Sequence, residues 1–372
     1  MSRSLGCGRY LVRIQERGGG SPIVAPVTSG TWERAIDKTS DASLVLPYAC
    51  CDMLAGVDPW AHEIAILRSV NGANHRGVWL GPITEIERDP DAKRIAIRAQ
   101  DLTAWWPVRL IQSDFDRTTE TGSGPERLID QAIDLSNDAM APDPLPGLVM
   151  VDTTPGSLLS GERKVLAAEH RDAMSPISEI ARDAIDFTAH ATAENMRVVL
   201  VGEPQIYDGS PPVATLNRSH FARAPRVRSL APVTRVIVAG SGGGASGDEL
   251  VGIAEASAAA IAKFGAVARR WEEPRIEDQP SAQAAAEYRL SLLGPDASLR
   301  APRRIEGGVL VASAPIDIDD LYGGARFWLA FDDGCANADG LYIASGLHVE
   351  FGNGSESVAP AFTPAADFGA AA

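Results

Sequence analysis

The stretch from Gly77 to Ile111 constrains the fold of this 372-residue chain more than any other part of it. Apolar residues alternate with polar ones on both sides of an Asp89–Asp91 turn, and this period of two is typical of half-buried β-strands. Val78 and Leu80 lead to a predicted break at Gly81–Pro82, after which the strand pattern resumes. The pattern predicts that this part of the chain folds around an antiparallel sheet.

Two adjacent tryptophans, Trp105 and Trp106, close this stretch. An indole ring buries a large apolar area while its single N–H reaches a polar partner. We therefore predict that the pair caps the open end of the sheet and stiffens a scaffold. We also predict that Trp79, Trp105 and Trp106 are buried, with at least one of them against Trp32 or Trp60.

The remainder of residues 1–112 also reads as β-structure. Alternating apolar positions predict strands around Ile14, Leu44 and Ile64, and Pro47 is expected to end the second of these. Residues 1–112 therefore predict an N-terminal β domain.

The sequence pattern changes after residue 112, and residues 113–215 predict an α/β unit. Segment 124–135 is predicted to be a helix that begins at Pro125, because proline suits the first helical position. Segment 175–187 predicts a second helix with Ser175 as its N-cap, followed by a buried strand that ends at Gly202.

The C-terminal part of the sequence returns towards β-structure. Segment 235–240 is its clearest strand, and segment 249–265 leaves open either one helix or a strand followed by a short helix. Segment 281–294 predicts a helix that ends at its last glycine. From residue 301 onwards the pattern predicts short strands and a loose Ala-rich tail.

Together these segments predict a β-rich α+β fold with several domains, since 372 residues exceed one ordinary core. The 35 glycines and 25 prolines agree with many short strands and turns. The predicted division is 1–112 (tube-like β domain), 113–215 (α/β insertion), 216–300 (second β domain with a helix) and 301–372 (C-terminal β region and tail).

The formal net charge of −15 opposes general binding to nucleic acid or to an anionic membrane. Two interpretations stay open: the charge serves solubility, or it belongs to a wall past which a polyanion slides without sticking. No apolar run is long enough to span a bilayer, and the N-terminus lacks a secretion signal. The cysteines lack metal-ligand spacing, so we expect synthesis in a reducing cytoplasm.

No pattern in the sequence predicts catalytic, cofactor-binding or metal-ligating residues. Gly242, Gly244 and Gly247 spell GxGxxG inside a glycine-rich run, where that match carries little weight. The six histidines show no i,i+4 pair, and no nucleophile elbow is present. Carboxylate pairs such as Asp319–Asp320 and Asp332–Asp333 are interpreted as turn residues.

Several N-terminal residues nevertheless form a familiar series: Trp32-Glu33-Arg34, Asp37, Ala42-Ser43, Pro47, Cys50-Cys51, Pro59 to Glu63, Val78 to Ile83 and Asp101 to Trp105. Together with Phe264-Gly265, Ile276, Ala285, Ala286 and Leu290, they resemble minor tail proteins of long-tailed phages infecting actinobacteria, thought to form the tail-tip hub. The resemblance covers most of the chain up to about residue 315.

The resemblance implies a baseplate-hub fold, in which two tube-like β domains per subunit let three copies imitate a sixfold ring. The implied function is a structural, non-enzymatic hub at the virion tail tip, assembled in the host cytoplasm, which encloses the DNA exit channel. Implied partners are further copies in a homotrimer, the distal tail protein ring, the tape-measure protein, and other minor tail proteins or tip fibres. No cofactor, specific DNA binding or membrane insertion is implied.

Two alternatives remain at this point. A distal tail protein also carries an N-terminal tube-like domain but would form hexamers, and a carbohydrate-acting tail enzyme could be built on β domains.

Two basic segments, Arg223–Arg228 and Arg300–Arg304, bear on the channel. Arginines lining a DNA path would hold the duplex by releasing its counterions, so we expect a neutral or acidic lumen. We expect these arginines at interfaces with acidic neighbours; the alternative is that they are solvated turns.

Overall fold

A computed structural model describes residues 4–17, 19–117, 126–153, 160–161, 164–183, 186–191, 196–202, 212–240, 250–273, 279–295, 303–333 and 336–364. These ranges contain 25 β-strands and four α-helices, which confirms the β-rich α+β class.

The N-terminal strands are β1 (Gly8–Glu16), β2 (Ile23–Ala25), β3 (Ser29–Ala35), β4 (Asp41–Pro47), β5 (His62–Val70), β6 (Arg76–Asp89) and β7 (Arg94–Gln100). All of them pair antiparallel with their neighbours. Alternate side chains, such as Val12 and Ile14, are buried, because successive residues of a strand point to opposite faces.

Strand β6 runs without interruption through Gly81–Pro82, so the predicted break is wrong. The first half of β6 pairs with β5 and the second half with β7, and a bulge between Ile83 and Glu85 marks the change of partner. A Cβ atom on Gly81 would stand 1.7 Å from the carbonyl oxygen of Gln100. The glycine therefore permits close backbone approach inside one strand and does not end it.

The tandem tryptophans occupy a 3-10 helix, Leu102–Val108, and do not cap an open sheet end as predicted. Both rings are buried in a second hydrophobic core that the N-terminal strands share with the insertion. Trp106 donates its indole N–H to the Ser136 hydroxyl at 2.9 Å. The 3-10 helix directs both rings into the hydrophobic core. Their large apolar area is buried more completely there than it would be at a solvated sheet end.

The predicted packing of the tryptophans is confirmed. Trp79, Trp105 and Trp106 are all buried. The ring of Trp105 meets Trp60 edge-on, with 4.9 Å between centroids.

The insertion contains β8 (Phe115–Asp116), β9 (Glu126–Arg127), α1 (Leu128–Met140), β10 (Val149–Asp152), β11 (Ser160–Gly161), β12 (Lys164–Val165), α2 (Met174–Asp183), β13 (Asp186–Ala189) and β14 (Val198–Gly202). Strands β10, β14 and β13 form a mixed sheet, because β10 runs parallel to β14 and β13 runs antiparallel to it.

Both predicted helices of the insertion exist, with shifted starts and ends. Helix α1 continues to Met140, and α2 ends at Asp183 instead of residue 187, because Asp186–Ala189 pair with β14 as a strand. Helix α1 begins at Leu128 because the two residues before it pair with β11. Pro125, the predicted start, lies outside the described residues. Helix α2 begins at Met174, one residue before the predicted cap Ser175, whose backbone N–H is bonded by the Asp172 carboxylate at 2.8 Å.

The next elements are β15 (Ala214–Asn217), β16 (Phe221–Arg223), β17 (Arg226–Ser229), β18 (Arg235–Gly240), β19 (Leu250–Glu255), α3 (Ala258–Phe264), β20 (Ala268–Glu273) and α4 (Gln279–Leu293). Segment 249–265 therefore contains a strand and then a short helix, the second of the two interpretations left open. The predicted helix ending at Gly294 is confirmed. No described helix is long and apolar enough to cross a membrane.

The C-terminal strands are β21 (Arg303–Glu306), β22 (Val309–Leu310), β23 (Arg326–Asp333), β24 (Ala336–Gly352) and β25 (Ser355–Pro364). The prediction of only short strands here is wrong, since β24 has 17 residues. Its first half pairs with β23 and its second half with β3, so one long strand serves two sets of neighbours. The predicted loose tail lies outside the described residues.

The pairing of β24 with β3 joins the two ends of the chain in one 13-stranded sheet. One continuous run of that sheet has the order β17-β21-β25-β24-β3-β4-β7-β6. Strands from 1–112, 216–300 and 301–372 therefore lie side by side, and the sheet does not follow the boundaries drawn from the sequence. The division into four domains stays a prediction.

Two buried ion pairs tie distant segments to the N-terminal strands. Arg68 on β5 binds Glu356 on β25 at 2.7 Å, and both side chains are almost fully buried. Arg197, next to β14, binds the buried Glu63 of β5. Each pair anchors a later segment of the chain on the same strand.

Candidate assembly surfaces

Among the described residues, no group of three or more His, Cys, Asp or Glu side chains could hold a metal ion. The glycine-rich GxGxxG segment lies outside those residues. Asp319 and Asp320 lie in a 3-10 turn, as expected. The interpretation of Asp332 and Asp333 as turn residues is wrong, because they end strand β23.

A small cavity lies where strand β3 meets the insertion. Its walls include the buried side chains of Arg34, Asp101 and His190, and it encloses about 210 Å³ including its solvent-open part. Small-molecule sites span roughly 300–1,000 Å³. Burial and the nearby Arg34 lower the pKa of His190 to about 3, so this imidazole is neutral at neutral pH. The cavity is too small to support a ligand site.

A broad surface is formed by the solvent face of the sheet where β25, β24, β3, β4, β7 and β6 lie side by side. The opposite face of the same strands supplies the main hydrophobic core. Cross-strand register places the following side chains on the solvent face, which we call the acidic face: Ser357, Ala359, His348, Glu350, Thr31, Glu33, Ser43, Arg94, Arg98, Glu85, Glu87 and Asp89. This set combines small residues with five carboxylates, two arginines and one histidine.

His348 sits between two carboxylates of the acidic face. Its Nδ1 lies 3.0 Å from Glu33 and its Nε2 lies 3.2 Å from Glu350. The hydrogen bond to Glu33 raises the pKa of His348 above its ordinary value, while partial burial opposes this. The same hydrogen bond lowers the pKa of Glu33. Both ring nitrogens are donors only in the charged imidazolium, so this geometry favours the protonated form.

We expect His348 to titrate above the ordinary histidine value in the folded chain, and Glu33→Gln to move its pKa back down. Because the pKa is raised on folding, the stabilisation is complete below the unfolded value and is lost as pH rises through the folded value. NMR titration of the histidine ring protons measures both values. An unchanged His348 pKa in Glu33→Gln would show that the pair does not interact; the exposed His75 serves as the reference ring.

The structure brings the two basic segments together at one edge of the sheet. Strand β17 pairs antiparallel with β21, which places Arg228 directly opposite Arg304 and Arg226 opposite Glu306. These three arginines are exposed and form no ion pair within the described ranges. The interpretation of the segments as solvated turns is wrong for these residues, because they lie in strands; Arg300 is outside the described ranges.

A second edge of the sheet is acidic. Strand β5 pairs with β6 only as far as Pro82, so the second half of β6 has β7 as its only strand neighbour in the described part of the chain. The backbone N–H of Trp60 bonds the carbonyl of Ile83 at 2.8 Å. Beyond that point Glu85 and Glu87 project from the edge strand on the acidic face. Sequence patterning did not indicate that this strand is an edge.

No protein-family model matches the sequence, and no curated protein matches it. Solved structures do share its fold. The tail protein from Neisseria meningitidis MC58 gives a TM-score of 0.62 at 13% identity, with 95% of this chain and 96% of that chain covered. The 43 kDa tail protein of prophage MuSo2 from Shewanella oneidensis gives 0.61 at 10% identity, with 95% and 97% covered.

An Escherichia coli component of the type VI secretion system, described as structurally similar to the T4 bacteriophage tail proteins gp27 and gp5, gives a TM-score of 0.53. The identity is 12%, with 95% of this chain and 77% of that chain covered. At such low identity these likenesses establish the fold. The chain has the fold of phage tail proteins and of related secretion-system components.

Proposed function

We propose that this chain is a structural subunit of a phage tail tip, the hub that joins the tail tube to the tip and surrounds the DNA exit channel. The observation that carries the proposal is the continuous sheet made when β24 pairs with β3. It gives one chain a wide, rigid wall built from both ends of its sequence. The shared fold with tail proteins, over nearly the whole chain, supports the same function.

The acidic face is proposed as the wall of the channel. A duplex passes freely only where few cations can replace its counterions, because each phosphate contact contributes a salt slope of roughly −0.9. The acidic face carries five carboxylates and small side chains. Of its two arginines, Arg98 is bound to Glu85 at 3.1 Å and Arg94 lies 4.0 Å from Asp89. Such a wall repels the duplex weakly and offers it little to bind.

The proposed assembly is a homotrimer in which each subunit supplies two tube-like β units and the insertion lies outside the ring. The neighbours would be the distal tail protein ring, the tape-measure protein, and other minor tail proteins or tip fibres. An actinobacterial host is part of the same proposal, which rests there on the sequence resemblance. Image reconstruction of assembled particles tests it: three copies per ring support the hub, whereas six copies favour the distal tail protein.

The channel assignment predicts a defect when the charge of the acidic face is reversed. In particles carrying Glu33→Lys and Glu350→Lys, we expect DNA release to slow about ten-fold or more at low salt and to recover as salt is raised, because lysines hold phosphates electrostatically. Fluorescence of a DNA-binding dye after triggered ejection measures the release.

The matched control places two lysines at exposed acidic positions outside the acidic face, Asp52 and Glu169. These particles should release DNA at the wild-type rate. Equal rates in all three particles, or a reconstruction with a different face towards the lumen, would contradict the channel assignment.

A further inference from the structure

The run of eight strands from β17 to β6 ends in two edges of opposite charge, β17 and the second half of β6, which pair with no further strand in the described part of the chain. At one end, β17 presents Arg226 and Arg228. At the other end, the second half of β6 presents Glu85 and Glu87. Free edges expose unpaired backbone N–H and C=O groups, which makes them templates for a further strand.

The arginine edge is electrostatically incomplete in the isolated chain. Arg228 stands directly opposite Arg304, and like charges in directly opposed positions of a sheet destabilise it. The inward side of the same strand is anchored, because Val227 packs on the main core and faces the buried Ile305. The strand is therefore held in place with Arg226 opposite Glu306 and Arg228 opposite Arg304, and neither Arg226 nor Arg228 forms an ion pair with a described residue. Acidic side chains alongside would relieve the repulsion between Arg228 and Arg304.

The acidic edge, the second half of β6, carries the charge opposite to that of the arginine edge. From Thr84 to Asp89 the outer side of β6 has no backbone hydrogen bond to any described residue. Glu87 forms no ion pair there, and the Glu85–Arg98 pair has both side chains more than half exposed. An exposed pair of this kind contributes little and leaves Glu85 able to accept a second cation.

The two edges also share a face. Glu85 and Glu87 belong to the acidic face by register with β7, and Arg226 and Arg228 point away from the core because Val227 between them points into it. If β17 of one copy lay beside β6 of the next, all four side chains would project from the same side of a continuous sheet. The arginines, which lie on the same side of the sheet as the acidic face, would then pair with glutamates and would not be free to bind the phosphates of a duplex in the channel.

We propose that the β17 edge of one subunit docks on the β6 edge of a second copy of this chain, with arginines against glutamates. The contact is head-to-tail, so repetition around an axis closes a ring and continues the acidic face from subunit to subunit. The proposal rests on the ring-forming function proposed above. Charged edges also serve to prevent strand-to-strand aggregation, and the experiment distinguishes that use from docking.

The test uses the full chain and three variants: Arg226→Glu with Arg228→Glu, Glu85→Lys with Glu87→Lys, and the fourfold exchange that combines them. Sedimentation velocity and native mass spectrometry measure self-association. Each double variant should weaken it about ten-fold or more, because attraction becomes repulsion at the same positions. The fourfold exchange restores opposite charges across the interface and should regain association to within about three-fold of wild type.

Three results would overturn the proposal. If the double variants associate like wild type, the charged edges serve only to prevent strand-to-strand aggregation. A fourfold exchange as weak as the double variants would rule out direct pairing. A wild-type chain that stays monomeric up to about 100 μM would show that the proposed contact does not form. Thermal unfolding of each variant checks that the exposed substitutions leave the fold intact.

The particle reconstruction separates this proposal from the proposed function. A ring of this chain in which β17 and the neighbouring β6 lie apart overturns the docking and leaves the hub standing. A tail tip without this chain overturns the hub itself.

Discussion

The Trp106→Ala variant is expected to lose about 3–5 kcal/mol of unfolding free energy, the usual cost of truncating a buried tryptophan. The side chain is 1% exposed, and its indole N–H donates to Ser136. Its ring also meets Phe187 edge-on, with 4.9 Å between centroids. The substitution leaves a cavity between the N-terminal strands and the insertion, so assembly should fail through misfolding. Urea denaturation followed by circular dichroism measures the loss.

Trp328 supplies the matched control within the same chain. It lies on strand β23 with 41% of its side chain exposed, and surface substitutions usually change stability by about 0.5 kcal/mol or less. Trp328→Ala should therefore unfold close to wild type. Equal losses in the two variants, or soluble and fully assembled Trp106→Ala particles, would show that the second core does not depend on this ring.

The Arg68→Met variant is expected to lose a similar amount, about 3–5 kcal/mol, because it leaves Glu356 buried without a counter-charge. The Arg68 side chain is fully buried and the Glu356 side chain is 7% exposed. Burial acts to lower the pKa of Arg68, but the hydrogen bonds and charge of Glu356 raise it above the usual value. The carboxylate also accepts bonds from Tyr10 and from the backbone N–H of Gly8. Chemical denaturation again measures the effect.

Two further variants test the physical cause. Arg98→Met removes the exposed pair with Glu85 and should cost at most about 1 kcal/mol. Arg68→Met combined with Glu356→Leu removes both buried charges and should recover much of the loss, because no uncompensated ion remains. If the combined variant is no more stable than Arg68→Met alone, the loss comes from packing and not from the buried charge.

Short-range patterning was sufficient for most of the individual elements. The alternation around Val12 and Leu44, the Asp89–Asp91 turn and the helix before Gly294 all appear where the sequence predicts them. These features depend on residues within a few positions of one another, since strand alternation and helix ends are set by the local backbone. The burial of Trp79 likewise follows from its type and its place in an apolar strand.

The predictions that failed depended on which segments pair. Gly81–Pro82 was interpreted as a break because a glycine and a proline commonly end strands, yet β6 continues by exchanging β5 for β7. The long strand β24 was missed for a related reason: polar and glycine residues in its first half hid a strand that β23 supports. Pairing partners supply the hydrogen bonds that such segments lack in isolation.

The candidate assembly surfaces likewise combine features that the sequence indicates with features that only the tertiary structure shows. Composition revealed an acidic chain, and local sequence revealed two arginine segments about 75 positions apart. That Arg228 faces Arg304, that β17 and the second half of β6 are edges, and that β24 joins β3 all depend on contacts between residues far apart in the chain. Apolar periodicity indicates which side of a strand is buried, but it does not indicate which strand pairs with it. Sheet order, and with it the position of every free edge, follows from the packing of the whole chain around its core.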